Sequence, residues 1–210
     1  MAKVVVYGIT GFTGGNIARE AIARGHQVTG VARNTADFNL PGATATSGDI
    51  SDLANFKANI AGSDVVVLAL RHSSPHIVDL ISDLLAATAA AGTRLAVVGG
   101  AGSLYVSEGG PRLIDTSEFP DAYKPEASAA LETLLAMEAS SVGDWFYVSP
   151  AALYGSFAPG TRTGNYRLGG NVLVSDAEGK SVIGGEDYAI AFVDEIEKKE
   201  HHNQRFTVGY

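Results

Sequence analysis

The chain has 210 residues, 46% of them hydrophobic, no cysteine and a formal charge of −8. That length and apolar content suit one α/β domain, residues 1–210, with a sizeable core. The missing thiol excludes disulfides, thiolate catalysis and Cys-ligated zinc, and an acidic balance with no Lys/Arg cluster argues against a nucleic-acid partner.

Val4-Val5-Val6-Tyr7 is an apolar run of strand type that enters Gly8-Ile9-Thr10-Gly11-Phe12-Thr13-Gly14, and helical periodicity follows from near Thr13. A second strand, Val28 to Val31, ends at Ala32-Arg33. Strand, glycine turn, helix and strand form a frame able to hold a dinucleotide pyrophosphate. Gly8 permits a backbone conformation that a side chain would oppose. Gly11 leaves room for phosphate, and Gly14 lets the helix approach the sheet. The helix start offers unpaired N–H groups and a positive dipole end, with Thr10 and Thr13 as hydroxyl donors. The spacing is GxxGxxG, not GxGxxG, and it gains weight from the strand before it and the helix after it. NAD-selective chains usually place Asp or Glu about 20 residues past the glycines to hold the ribose 2′-hydroxyl. Arg33 stands there instead, and a guanidinium can grip a 2′-phosphate bidentately. NADP(H) is therefore preferred, with NAD(H) possible. Asp37, the nearest acid, reads as a turn or capping residue.

Further along, residues 43–47 read as a weak third strand, followed by Gly48-Asp49-Ile50 and a short helix from near Ser51. Asp64 to Leu70 is an apolar fourth strand. Pro75 opens a long helix with Ile77, Leu80, Ile81, Leu84 and Leu85 at helical spacing, and Gly92 closes it. Arg94 to Val98 is a fifth strand. Residues 99–124 are a long Gly/Pro/Ser/Asp-rich connection of the functional-loop type. Pro125 restarts a helix, Trp145 to Ser149 is a sixth strand, and residues 154–170 are a second irregular region. Val172-Leu173-Val174 looks strand-like, a helix runs around Asp187 to Lys198, and a last strand lies near Phe206 to Val208. The alternation predicts a Rossmann-like doubly wound parallel sheet with helices on both faces and a small C-terminal substrate region. Ligands in such sheets bind outside the carboxyl ends of the strands, at the topological switch point.

Together these segments resemble the atypical short-chain dehydrogenase/reductase group, in particular its NAD(P)-binding NADH-flavin reductases and biliverdin/flavin reductases. The resemblance rests on Gly8 to Gly14, Val31-Ala32-Arg33-Asn34, residues 97–104 (Val-Val-Gly-Gly-Ala-Gly-Ser-Leu), residues 123–127 (Tyr-Lys-Pro-Glu-Ala) and residues 149–153 (Ser-Pro-Ala-Ala-Leu). It implies that Gly8, Thr10, Gly11, Phe12, Thr13 and Gly14 surround the pyrophosphate and that Arg33 meets the adenosine ribose. By the same resemblance Asp49 and Ile50 flank adenine, Ala69, Leu70 and Arg71 line the ribose side, and Gly99, Gly100, Pro150 and Ala151 enclose the nicotinamide. The implied activity is hydride transfer from NAD(P)H to a flavin, quinone or similar planar acceptor, with flavin as a substrate.

The chain departs from the wider superfamily in one respect. None of its eight tyrosines has lysine four residues later, so the usual tyrosine proton relay is missing. Flavin or quinone reduction, with solvent supplying the proton, tolerates that loss. A non-catalytic NADP(H)-binding redox sensor tolerates it equally. A nucleotide-sugar epimerase or dehydratase would need the tyrosine pair and a larger C-terminal region. Ser103, Tyr123 and Lys124 are the candidate catalytic residues: Ser103 as a substrate contact or a turn residue, Tyr123 as proton donor or aromatic wall, Lys124 as a ribose contact or a solvated charge. Tyr105 is a second candidate donor or wall. His72 and His76 lack a third metal ligand, so no metal is expected, and no GxSxG elbow marks a serine hydrolase. With no secretory h-region and no apolar run near the roughly 20 residues of a membrane span, a cytoplasmic monomer or homodimer is expected.

Overall fold

The computed structural model describes residues 1–36 and 38–210; Asp37 lies outside the described residues. The chain alternates β1 (Lys3–Tyr7), α1 (Phe12–Ala23), β2 (Gln27–Ala32), β3 (Ala43–Ser47), α2 (Leu53–Ile60), β4 (Val65–Leu68), α3 (Ile77–Ala91) and β5 (Arg94–Val98). After three short 3₁₀ turns come α4 (Lys124–Glu138), β6 (Trp145–Ser149), β7 (Arg167–Gly169), α5 (Gly185–Lys198) and β8 (Gln204–Gly209).

These strands form one sheet in the order β3-β2-β1-β4-β5-β6-β8-β7. Every neighbouring pair is parallel except β7 with β8. Strand alternation splits the core between the two faces. Val4 and Val6 pack with Ile17, Ala18 and Ala21 of α1 and with Tyr188, Phe192 and Ile196 of α5. Val5 and Tyr7 pack with Phe56 and Ile60 of α2, Ile81, Leu84 and Leu85 of α3, and Leu134 and Met137 of α4. Full burial of each Val, Leu, Ile, Phe or Met side chain among these contributes about 1.5–3 kcal/mol. Winding reverses between β1 and β4, because β2 and β3 lie on one side of β1 and β4 to β6 on the other. The switch point therefore lies at the carboxyl ends of these two strands.

Several boundaries differ from the sequence expectation. The long helix begins at Ile77, with His76 as its N-cap, not at Pro75. The short helix begins at Leu53 behind Asp52, whose side chain accepts from the Asn55 N–H (3.0 Å), not near Ser51. The seventh strand is Arg167–Gly169, not Val172 to Val174. Residues 171–173 instead run beside Tyr105: the Tyr105 N–H donates to the Asn171 carbonyl and the Leu173 N–H to the Tyr105 carbonyl, each at 2.9 Å. The C-terminal segment adds β8 and β7 to the same sheet and packs α5 against α1.

Candidate functional site

The turn leaving β1 shows why three glycines are needed. Gly8 has φ +82°, and a Cβ there would collide with the Ala69 carbonyl at the end of β4. A Cβ on Gly14 would collide with the Gly8 carbonyl and lie 3.1 Å from the Ala69 side chain, so this glycine sets how closely α1 approaches the sheet. Gly11 is the N-cap of α1. A Cβ there would meet only the Gly8 carbonyl oxygen, at 3.2 Å. No side chain caps this helix start, and no acid stands in its first turn. The N–H groups of the first turn are thus left without a side-chain cap at the positive end of the helix, which fits a pyrophosphate.

Two chambers lie on either side of this turn and share Leu70. The first, of about 150 Å³, is lined by Gly8, Thr10, Arg33, Asp49, Ile50 and Leu70, together with Tyr7, Val31, Ala32, Gly48, Ser74 and Pro75. Arg33 is exposed and forms no ion pair with any described residue. Asp49 holds its own turn by accepting from the Ser51 N–H (2.9 Å). The second chamber, of about 300 Å³, is lined by Leu70, Arg71, Gly99, Gly100, Pro150 and Ala151, and by the apolar side chains of Leu113, Phe119 and Ala127. Tyr123 and Phe157 reach it from the two irregular loops, 56% and 65% exposed. Gly99 is required there because Tyr147, whose hydroxyl donates to the Ala130 carbonyl (3.0 Å), fills the space a side chain would take.

The structure thus brings together residues from the ends of β1, β2, β4, β5 and β6. Gly11, Phe12, Thr13, Gly14 and Ala69 line neither chamber and instead build the turn between them. Two of the three candidate catalytic residues are also outside the lining. Ser103 is 3% exposed, and its hydroxyl accepts from Arg205 (3.2 Å) while donating to the Gly100 carbonyl (3.3 Å). Lys124 pairs with Asp121 at 2.7 Å on the surface. Tyr105 carries Arg112 over its ring, 5.7 Å from the centroid.

Three polar side chains of the second chamber, His72, Glu126 and Tyr154, carry no site assignment from the sequence. His72 is buried, and its Nε2 donates to the Val98 carbonyl (2.9 Å). Nδ1 lies 3.1 Å from the Thr133 hydroxyl, whose proton it shares with the Ala129 carbonyl (2.9 Å). Burial holds the imidazole pKa below its ordinary value, so this histidine is a neutral strut and has no nitrogen left for a metal. Glu126 accepts from the His72 N–H (2.6 Å), the Ser73 N–H (3.2 Å) and the Ser73 hydroxyl. Burial alone would raise its pKa, but these donors outweigh burial and hold it below the usual carboxylate range. Tyr154 shares a hydrogen bond with the Thr13 hydroxyl (2.9 Å) and packs against Tyr188, so it ties the loop after β6 to the phosphate turn. Burial pushes its pKa up, which keeps the phenol neutral. Glu126 stood in plain view in residues 123–127; for Tyr154, no local signal pointed at Thr13.

A family model described as NAD(P)H-binding matches residues 8–183. The chain belongs to this NAD(P)H-binding family. Solved structures similar to this member of the family include the "putative exported protein" of Burkholderia pseudomallei, 42% identical with TM-score 0.89 and 100% of both chains covered. The "putative NADH-flavin reductase" of Streptococcus pneumoniae is 33% identical with TM-score 0.88, covering 100% of this chain and 99% of the other. The "putative epimerase" of Bacteroides thetaiotaomicron is 34% identical with TM-score 0.89, covering 100% and 98%. No helix among the described residues is long and apolar enough to cross a membrane.

Proposed function

We propose that this NAD(P)H-binding chain is an NADPH-dependent oxidoreductase that passes hydride to a flavin, quinone or similar planar acceptor. The observation that carries the reading is the pair of chambers joined at Leu70 across the helix-capped turn. In this assignment Gly8 to Gly14 hold the pyrophosphate, Arg33 the 2′-phosphate, and Asp49 and Ile50 the adenine. Ala69, Leu70 and Arg71 border the second ribose, while Gly99, Gly100, Pro150 and Ala151 bound the nicotinamide. The bound reduced nicotinamide supplies the hydride. Tyr123 and Phe157 cover the acceptor's faces, each aromatic contact adding about 0.5–1.5 kcal/mol beyond area burial. Solvent at the open mouth, or the Tyr123 hydroxyl, delivers the balancing proton. Ser103 and Lys124 support the wall and touch no reacting atom.

Purified protein should consume NADPH with at least one flavin or quinone. NADPH binding without turnover across such a panel would instead favour the non-catalytic redox sensor. Hydride transfer is preferred over epimerisation because no tyrosine hydroxyl among the described residues hydrogen-bonds a lysine. Arg33→Ala should weaken NADPH binding by about tenfold or more, the equivalent of one charge-assisted bidentate contact, while changing NADH binding less than about twofold. Equal losses for the two coenzymes in calorimetric titration would refute the 2′-phosphate assignment.

A further inference from the structure

Glu126 contributes the one carboxylate in the lining of the larger chamber, where most of the surrounding side chains are apolar or aromatic. The His72 N–H, Ser73 N–H and Ser73 hydroxyl stabilise its carboxylate as neutral donors and so leave the net negative charge in the wall. His72 beside it is neutral, with both ring nitrogens occupied by Val98 and Thr133. Arg71, the one cation in the lining, stands at the rim with its side chain 78% exposed, its Nε 3.8 Å from the Glu126 carboxylate. A pair that open to water neutralises little. The apolar walls lower the local dielectric, so a carboxylate whose one cationic partner is solvent-exposed is felt more strongly there than on the surface.

We propose that Glu126 is a specificity-determining residue, selecting uncharged planar acceptors over acceptors that carry an acidic group on the ring system. This rests on the acceptor reading of the second chamber. A ring carboxylate or sulfonate brought into the chamber would meet the Glu126 charge without a buried cation to answer it. An uncharged quinone or flavin ring meets only Leu113, Phe119, Tyr123 and Phe157.

The test is calorimetric titration, with menadione and with a ring-sulfonated naphthoquinone, of protein saturated with tetrahydro-NADP, a coenzyme that donates no hydride and whose ring is uncharged like that of NADPH. Binding, unlike rate, does not depend on the two redox potentials. The wild-type chain should bind menadione about tenfold more tightly, and E126Q should bring the two affinities within about twofold. Raising ionic strength about fivefold should shrink the wild-type preference, and R71Q should widen it, so the proposal stays testable even if E126Q does not fold. Equal affinities in the wild-type chain, or a preference unchanged by E126Q and by salt, would overturn it. If that preference is missing while NADPH is still consumed, the Glu126 role falls and the reductase reading stands. A preference without NADPH consumption does the reverse.

Discussion

Gly14→Ala should cost about 3 kcal/mol of stability, whereas Gly11→Ala should leave the fold within about 1 kcal/mol of wild type and weaken dinucleotide binding about tenfold or more. At Gly14 the new methyl would strike the Gly8 carbonyl, a backbone atom held in place by β1 and β4, so α1 must move off the sheet. At Gly11 the backbone already sits at φ −80° and ψ 170°, which alanine adopts freely. There the methyl meets little besides the Gly8 oxygen and takes space beside the first-turn N–H groups of α1. Denaturant midpoints read the first effect. Calorimetric titration with NADPH reads the second, where a loss of at least tenfold is expected. A folded Gly11→Ala protein that binds NADPH normally would remove the pyrophosphate from this turn.

That contrast also marks how far the sequence could be read. From β1 to β2 the pattern was legible because the local signals agreed: an apolar run, a glycine turn and an amphipathic helix in that order together fit a parallel βαβ unit. The seventh strand was misplaced for a physical reason. Val172-Leu173-Val174 carries the apolar character of a strand, yet Val174 packs beneath Gly169 and Gly209 and earns its burial without joining the ladder. The residues that do pair with β8 are Arg167, Leu168 and Gly169, an antiparallel edge with two exposed side chains. An edge strand needs no apolar pattern, because its hydrogen bonds are made by the backbone.

The site divides in the same way. Gly8, Gly11, Gly14 and Arg33 act through backbone conformation or through position at a strand end, and both are local properties that a sequence displays. Ser103 follows β5, where a substrate contact is expected, but its orientation is decided by Arg205, which reaches it from β8 across a separation of 102 residues. Glu126 and His72 meet across 54 residues, and Thr13 and Tyr154 across 141. Each of these contacts exists only once the sheet has brought the carboxyl ends of its strands together, so no window of sequence contains them.

Asp187→Asn should destabilise the protein by about 2–4 kcal/mol at neutral pH, with the loss shrinking in acid. Asp187 is buried in the first turn of α5. It accepts from the Thr163 N–H (2.9 Å) and hydroxyl (2.7 Å), the Gly164 N–H (2.9 Å) and the Tyr210 hydroxyl (2.6 Å). These bonds pin residues 160–166, which belong to the irregular region that also carries Phe157. An asparagine keeps one acceptor oxygen but turns an NH₂ toward groups that themselves donate, leaving buried donors without partners. Burial alone would raise the Asp187 pKa, but the Tyr210, Thr163 and Gly164 donors outweigh burial and lower it. With the folded value below the unfolded one of about 3.9, the unfolded chain takes up the proton first. The contribution of the carboxylate is therefore complete above that unfolded value and disappears as pH falls through the folded one. Urea titrations of both proteins from pH 7 downward should show two stability curves that run apart near neutrality and draw together below about pH 4. A gap that stays constant into that acid range would mean that the four donors do not depend on the charge of Asp187.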